Sequence, residues 1–373
     1  MPDRVYLDHA SSSPLRPAAL EAMLPFLRDH HADPGRVHSD GRVTRVAIET
    51  AREQVALLLN SRASEIVFTS GGTEAVNAAI AGSVLHDPER ADVVTTAVEH
   101  SSVLDAARRS AGETVVVGVD GTGRFSADDV LDAVTDTTAL VSVQLANHEV
   151  GTLQQVSEIC VEARDLGALS HVDACAAIGY APVSFGTTGA DLMSVTAHTW
   201  GGPKGTGALL VRRGLRIEPF VVGGAQERAR RAGLENVPAI VGFGAAAEAV
   251  ESDEAAAALR HTDRIRAGLA GSVTGLTFHG DPDARLPNVV CVGVEGVEAE
   301  PILLSLDQQG IAIHSGSACS SESLEPSPVL AAMGADADHS LRISVGWSST
   351  DADVDRLLAA FPEIVARLRS LRT

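Results

Sequence analysis

Cys319 lies in SGSACSSESLEPSPVL, a run of small and polar residues leading into a short apolar stretch. A cysteine among glycines and serines has little to pack against. In a mobile, exposed loop its thiolate is placed to act as a nucleophile, swinging in to take a group and out to deliver it. Other polar residues stand at the ends of apolar runs. Asp173 closes SHVDA, His100 follows TTAVE, Asn147 follows VSVQLA, and Thr196 and His198 follow LMSV. His100 is of a type that moves protons near neutral pH. Arg342 sits inside the apolar run LRISVG, an unusual place for a surface ion pair. Gly72 and Thr73 belong to SGGTEAVNAAIAG, a glycine-rich turn that opens a helix. Such a turn leaves free N–H groups at the positive end of a helix dipole, which suits a phosphate. Lys204, after the Gly201-Gly202-Pro203 turn, is the only lysine in the chain, so any lysine chemistry has one candidate.

These residues need a scaffold that brings strand ends together. The sequence predicts strands at 5–8, 65–69, 93–96, 114–119, 139–143, 169–173, 192–195 and 207–211. Helical spacing of apolar residues predicts helices at 17–28 and 42–59, and further helices fall between the later strands. Strands separated by helices of roughly 10–15 residues imply βαβ units, a parallel sheet and a site at the strand C-termini. GGAQERARRAGLEN reads as a glycine-rich loop. Helices at 238–251 and 255–269, strands at 288–294 and 311–314, a short helix at 328–333, the strand LRISVG and a helix at 351–371 complete the chain.

The 373 residues suffice for a large α/β domain and a smaller one. Hydrophobic residues make up 45% and charged ones 21%, which favours a substantial core. A formal net charge of −20 repels phosphate backbones, and the arginines 228, 230 and 231 are too few to reverse this, so no direct nucleic-acid binding is expected. No apolar run reaches the ~18–20 residues of a membrane span, and the first residues lack the apolar core of a signal peptide. The expectation is a soluble cytoplasmic protein. The four cysteines form no C-x-x-C and have no zinc-ligand spacing, so no metal is expected. Cys160, Cys175 and Cys291 lie in apolar surroundings and read as buried small hydrophobes.

TAHTWGGPKGTG, with Thr196, Ala197 and His198, resembles the cofactor segment of cysteine desulfurases, the NifS/IscS-like branch of fold-type I pyridoxal-phosphate (PLP) enzymes. SGGTE, VDACAAIG, ANHEVG, GGAQER and SGSACSSESLEPS resemble further motifs of that family, covering nearly the whole chain. The resemblance implies a PLP fold-type I architecture. A large domain of residues 15–255 would carry a mostly parallel seven-stranded sheet. Residues 1–14 and 256–373 would form a smaller α+β domain. It implies that Gly72 and Thr73 meet the PLP phosphate, with Thr196 and His198 also at the cofactor. His100 would stack on the ring, Asn147 would bond its hydroxyl, and Asp173 would keep the ring nitrogen protonated so that the ring acts as an electron sink. Arg342 would grip a substrate carboxylate bidentately, and Cys319 would attack the sulfur of L-cysteine and carry it as a persulfide to an acceptor protein. It also implies a homodimer whose 226–236 loop crosses to the partner's cleft.

The chain departs from the family at the cofactor. Thr199 occupies the position of the lysine that holds PLP as a Schiff base, and Lys204 matches an ordinary lysine of the GPKG turn. Ala176 stands in place of a glutamine, and Leu234 in place of a threonine that reaches the partner's phosphate. Two readings lead, since the Cys319 loop argues against a third, a lyase or aminotransferase acting on another amino acid. One is sulfur transfer from L-cysteine with impaired or non-standard chemistry and PLP held without a covalent bond. The other is a catalytically silent homologue that binds a partner or carries sulfur on Cys319 without PLP.

Overall fold

The computed structural model describes residues 4–87, 89–315 and 326–371. β1 (Val5–Tyr6) leads through a serine-rich loop to α1 (Pro17–Arg28) and α2 (Ser39–Leu58). The next strands are β2 (Ile66–Thr69), β3 (Asp92–Thr96), β4 (Thr114–Val117), β5 (Thr138–Gln144), β6 (Leu169–Asp173), β7 (Leu192–Thr196) and β8 (Gly207–Val211). Helices α3 (Gly72–His86) and α4 (Ser101–Arg108) follow β2 and β3. These strands form a seven-stranded sheet in the order β2-β8-β7-β6-β5-β3-β4. Only β8 runs against its neighbours.

Every residue of β2, β5, β7 and β8 is buried, as expected of a sheet covered on both faces. One covering layer packs Ile48, Val55, Phe243 and Trp200 against the sheet, and the other packs Val76, Ile80, Val103 and Ala107. The pairing sets Gln144 beside Asp173 and Asp173 beside Ser194. Thr196 pairs with Gly207, which pairs with Thr69. The ends of β5, β6 and β7 therefore meet the end of β2 along one edge, at the C-terminal ends of the parallel strands.

A second sheet is antiparallel, built from β9 (Leu276–His279), β10 (Val289–Val294), β12 (His314–Ser315) and β13 (Ser340–Ser344), with β11 (Ile311–Ala312) pairing separately with β1. The single strand expected at 311–314 is thus two, because the chain leaves β1 at Ile313 and joins β13. Val5, Leu7, Val292, Ile302, Leu341 and Phe361 share the core of this half.

Helix α2 starts at Ser39, earlier than expected, because the His38 side chain accepts the Gly41 N–H and caps it. The expected loop after residue 223 contains a turn, Gln226–Ala229, with φ of 47°, 59° and 62° at Glu227, Arg228 and Ala229. Three successive non-glycine residues in the left-handed region need compensation. It comes from the buried Glu227 carboxylate, which accepts from Arg52 at 2.6 and 2.8 Å and from the Phe68 N–H at 2.9 Å.

Candidate functional site

A cavity of about 230 Å³ opens at the strand edge just described. One wall is the turn from β2 into α3. Gly71 has φ of 154°, a region open to glycine, and no side chain caps the first N–H groups of α3. A Cβ on Gly72 would lie 2.7 Å from Cys175 Sγ, so backbone approaches the cavity here only without a side chain. Gly72 and Thr73 both line the space. The turn is braced by Glu74, which accepts from Ser70 N–H at 2.9 Å and pairs with Arg231 at 2.8 Å.

The floor is the end of β6 and β7. Asp173 Oδ1 accepts from the Cys175 N–H and the Ser194 hydroxyl, each at 3.0 Å. Thr196 Oγ1 lies 2.8 Å from His198 Nδ1. Burial lowers the His198 pKa, with the charges of Lys204 and His100 adding to it, which favours the neutral imidazole. Thr199 lines the cavity and its hydroxyl donates to Cys175 O at 3.0 Å. Lys204 is exposed and is not among the lining residues.

The opposite wall is the start of α4. His100 Nδ1 accepts the Ser102 N–H at 3.0 Å, which leaves the proton on Nε2 as a donor. Its ring meets His148 edge-on, 5.2 Å between centroids. Beneath it Glu99 is fully buried. Burial raises its pKa to about 8, although bonds from Thr96 at 2.6 Å and Gln144 N–H at 3.0 Å pull the other way. Arg342 lines a further side. It is buried, donates to His148 O at 2.9 Å and pairs with Asp8 at 2.9 Å.

The structure therefore brings Gly72, Thr73, His100, Asp173, Thr196, His198, Thr199 and Arg342 to one cavity. Asn147 is not with them. Its Oδ1 accepts the N–H groups of Glu149 and Val150 at 2.8 and 2.9 Å, and its Nδ2 donates to Val98 O. The cavity-facing residue is its neighbour His148. Cys160 and Cys291 are buried among apolar side chains, with thiols pushed up to about 12 by burial. Cys175 departs from expectation, since it lines the cavity, but burial and the Asp173 charge push its thiol well above the ordinary range. Gln144, His148 and Ser11 also line the space, although sequence motifs did not single them out. The strand-end position of Gln144 was the available signal for it, and Ser11 and His148 lie in loops that follow strands.

Cys319 lies outside the described residues. The described residues on either side of it are anchored beside the cavity. His314 pairs with Arg342, and the Ser327 hydroxyl donates to Glu149, next to His148.

The Aminotransferase class-V family matches residues 5–357. A cysteine desulfurase of Trichormus azollae is 43% identical over 376 residues, covering 98% of this chain and 94% of the relative. A NifS-like protein of solved structure superposes with a TM-score of 0.89 at 31% identity, covering 98% of this chain and all of that one. A structure described as SspA in complex with cysteine superposes with a TM-score of 0.81 at 29% identity, covering 92% and 99%.

Proposed function

The chain belongs to the class-V aminotransferase family, among homologues of the cysteine desulfurases, and from that premise we propose cysteine desulfurase-like sulfur transfer from L-cysteine through a persulfide on Cys319. The observation that carries the reading is the convergence of the strand ends on one cavity with an uncapped helix start on one side and Asp173 on another.

The residues present fit pyridoxal phosphate. The bare N–H groups at Gly72 and Thr73 suit its phosphate, and a Cβ at Gly72 would crowd Cys175 out of place. Asp173, with Oδ1 already bonded, suits a protonated ring nitrogen. Bound there, the cofactor supplies an electron sink for the substrate's carbon. The chain's own groups do the rest. His100 presents an Nε2 proton to the cavity, and Arg342 presents positive charge to a carboxylate. In the transfer step the Cys319 thiolate attacks the substrate Sγ. The new S–S bond forms as Cβ–Sγ breaks, and the electron pair left on carbon takes up a proton. L-cysteine and a thiol thus give alanine and a persulfide, which passes to an acceptor protein. The raised thiols of Cys160, Cys175 and Cys291 favour Cys319 as the carrier.

Turnover is impaired in this reading because Thr199 supplies neither a covalent link nor a positioned base. The same reading includes a homodimer with the 226–236 segment at the partner's cleft. It also includes a division into residues 15–255 and the remainder, supported by a second core drawn mostly from residues outside 15–255. Among the described residues no helix is long and apolar enough to cross a membrane, and a cytoplasmic site of action belongs to the proposal.

The test is to incubate the protein with a sulfane-sulfur donor, or with PLP and L-cysteine, and map the sulfur by mass spectrometry. Labelling of Cys319 ahead of the other cysteines is expected, with slow alanine release. Labelling by the donor but none from PLP and cysteine would move the protein to the silent sulfur-carrier reading. Equal labelling of all four cysteines would overturn both.

A further inference from the structure

Resting on the reading that this cavity holds a pyridoxal-phosphate compound, we propose that it selects the form that already carries an amine nitrogen, and discriminates against the free aldehyde. Thr199 is the first reason. A hydroxyl has one proton to donate, and Thr199 spends it on Cys175 O. Its position is fixed, since the Ser13 hydroxyl donates to Thr199 O at 2.8 Å and the adjoining Trp200 is buried. Thr199 lines the cavity, and its hydroxyl oxygen, with its proton committed, can only accept.

A second acceptor lies on the same side. A recess of about 10 Å³ shares Ala10, His148, Ala176 and Thr199 with the main cavity, and Asn288 lines it. That volume is about the size of one water or one ammonium group. Asn288 is 3% exposed, and its Oδ1 has no hydrogen-bond partner among the described residues. A buried amide oxygen left without a donor is costly. The wall therefore offers two acceptors, and the only lysine in the chain stands exposed outside it. An aldehyde oxygen, itself only an acceptor, gains nothing from either of these two oxygens. A primary ammonium, with three donors, satisfies both oxygens. The nitrogen would arrive with the ligand. Pyridoxamine phosphate carries such a primary amine at the carbon where a lysine would otherwise bind.

The test compares three compounds with the same ring and phosphate by calorimetric titration. These are pyridoxamine phosphate, pyridoxal phosphate and pyridoxine phosphate, which bear an amine, an aldehyde and an alcohol. The amine is expected to bind at least about tenfold more tightly than the other two. Thr199→Val should reduce that preference to within about twofold while leaving pyridoxine phosphate binding in place, which reports an intact pocket. Thr199→Ser should keep the preference. Equal binding of all three, or tighter binding of the aldehyde, overturns the inference and leaves the cofactor reading standing. Binding by none of them sinks the cofactor reading, and this inference with it.

Discussion

At the scale of single residues, the proposed function turns on Thr199. Its side chain lines the cavity and bonds to Cys175 O, so a lysine there would extend from the same wall. Thr199→Lys is expected to bind PLP covalently, giving visible absorbance and, after borohydride, a pyridoxyl mass increment on residue 199. Sulfide release from cysteine should rise by roughly 10²–10⁴-fold, the usual contribution of a positioned acid or base. A variant that stays colourless with added PLP would mean that the binding walls, and not only the lysine, have been lost. Thr199 was legible in the sequence because the flanking TAH and GGPKG are regular in spacing. The exchange of Asn147 for His148 was not. In an irregular turn, neighbouring side chains point to different sides. Asn147 was claimed by two backbone N–H groups that only the folded turn reveals.

At the scale of elements, the strands and long helices followed from apolar periodicity, and their ends were set by contacts the pattern does not encode. The left-handed turn at 227–229 is the clearest case. It exists because Glu227 reaches Arg52 and Phe68 across the fold, and no local preference of Glu, Arg or Ala announces it. The link from β3 to α4 holds a second such feature, the buried Glu99. Its folded pKa of about 8 lies above its ordinary value near 4.5. Between these values the folded state holds a proton that the unfolded state has lost, so stability falls as pH rises through that window. Glu99→Gln keeps the shape and cannot ionise. Its stability relative to the parent should therefore improve by a few kcal/mol between pH 5 and pH 8. Urea unfolding of both proteins at the two pH values checks this, and a pH-independent difference would show that Glu99 is not protonated in the fold.

At the scale of the whole molecule, the mostly parallel sheet was legible, since strands alternating with helices up to residue 211 imply it, whereas the antiparallel pairing of the second sheet was not. How copies of the chain would meet is an expectation drawn only from the resemblance, because an interface has no sequence period. The surface gives that expectation a physical site. On α2, Val46 is 64% exposed and Val43 is 43% exposed, and Leu234 in the arginine-rich segment is 64% exposed. Ion pairs join α2 to that segment. Arg45, next to Val46, pairs with Glu235, next to Leu234, at 3.4 Å, and Arg228 pairs with Glu49 at 3.5 Å. Apolar side chains rimmed by ion pairs are what a protein interface presents when its partner is removed. The same segment also carries Arg231, which braces Glu74 in the turn at the cavity, so pairing across this face would bear on the site itself. The chain is expected to sediment as a dimer at micromolar concentration. Val46→Glu with Leu234→Glu should shift it toward monomer, because each carboxylate would lose its water on association. Both positions are exposed in the single chain, so the thermal midpoint of the monomeric form should change little. A parent that is already monomeric, or a double variant that remains dimeric, would place the contact elsewhere or remove it.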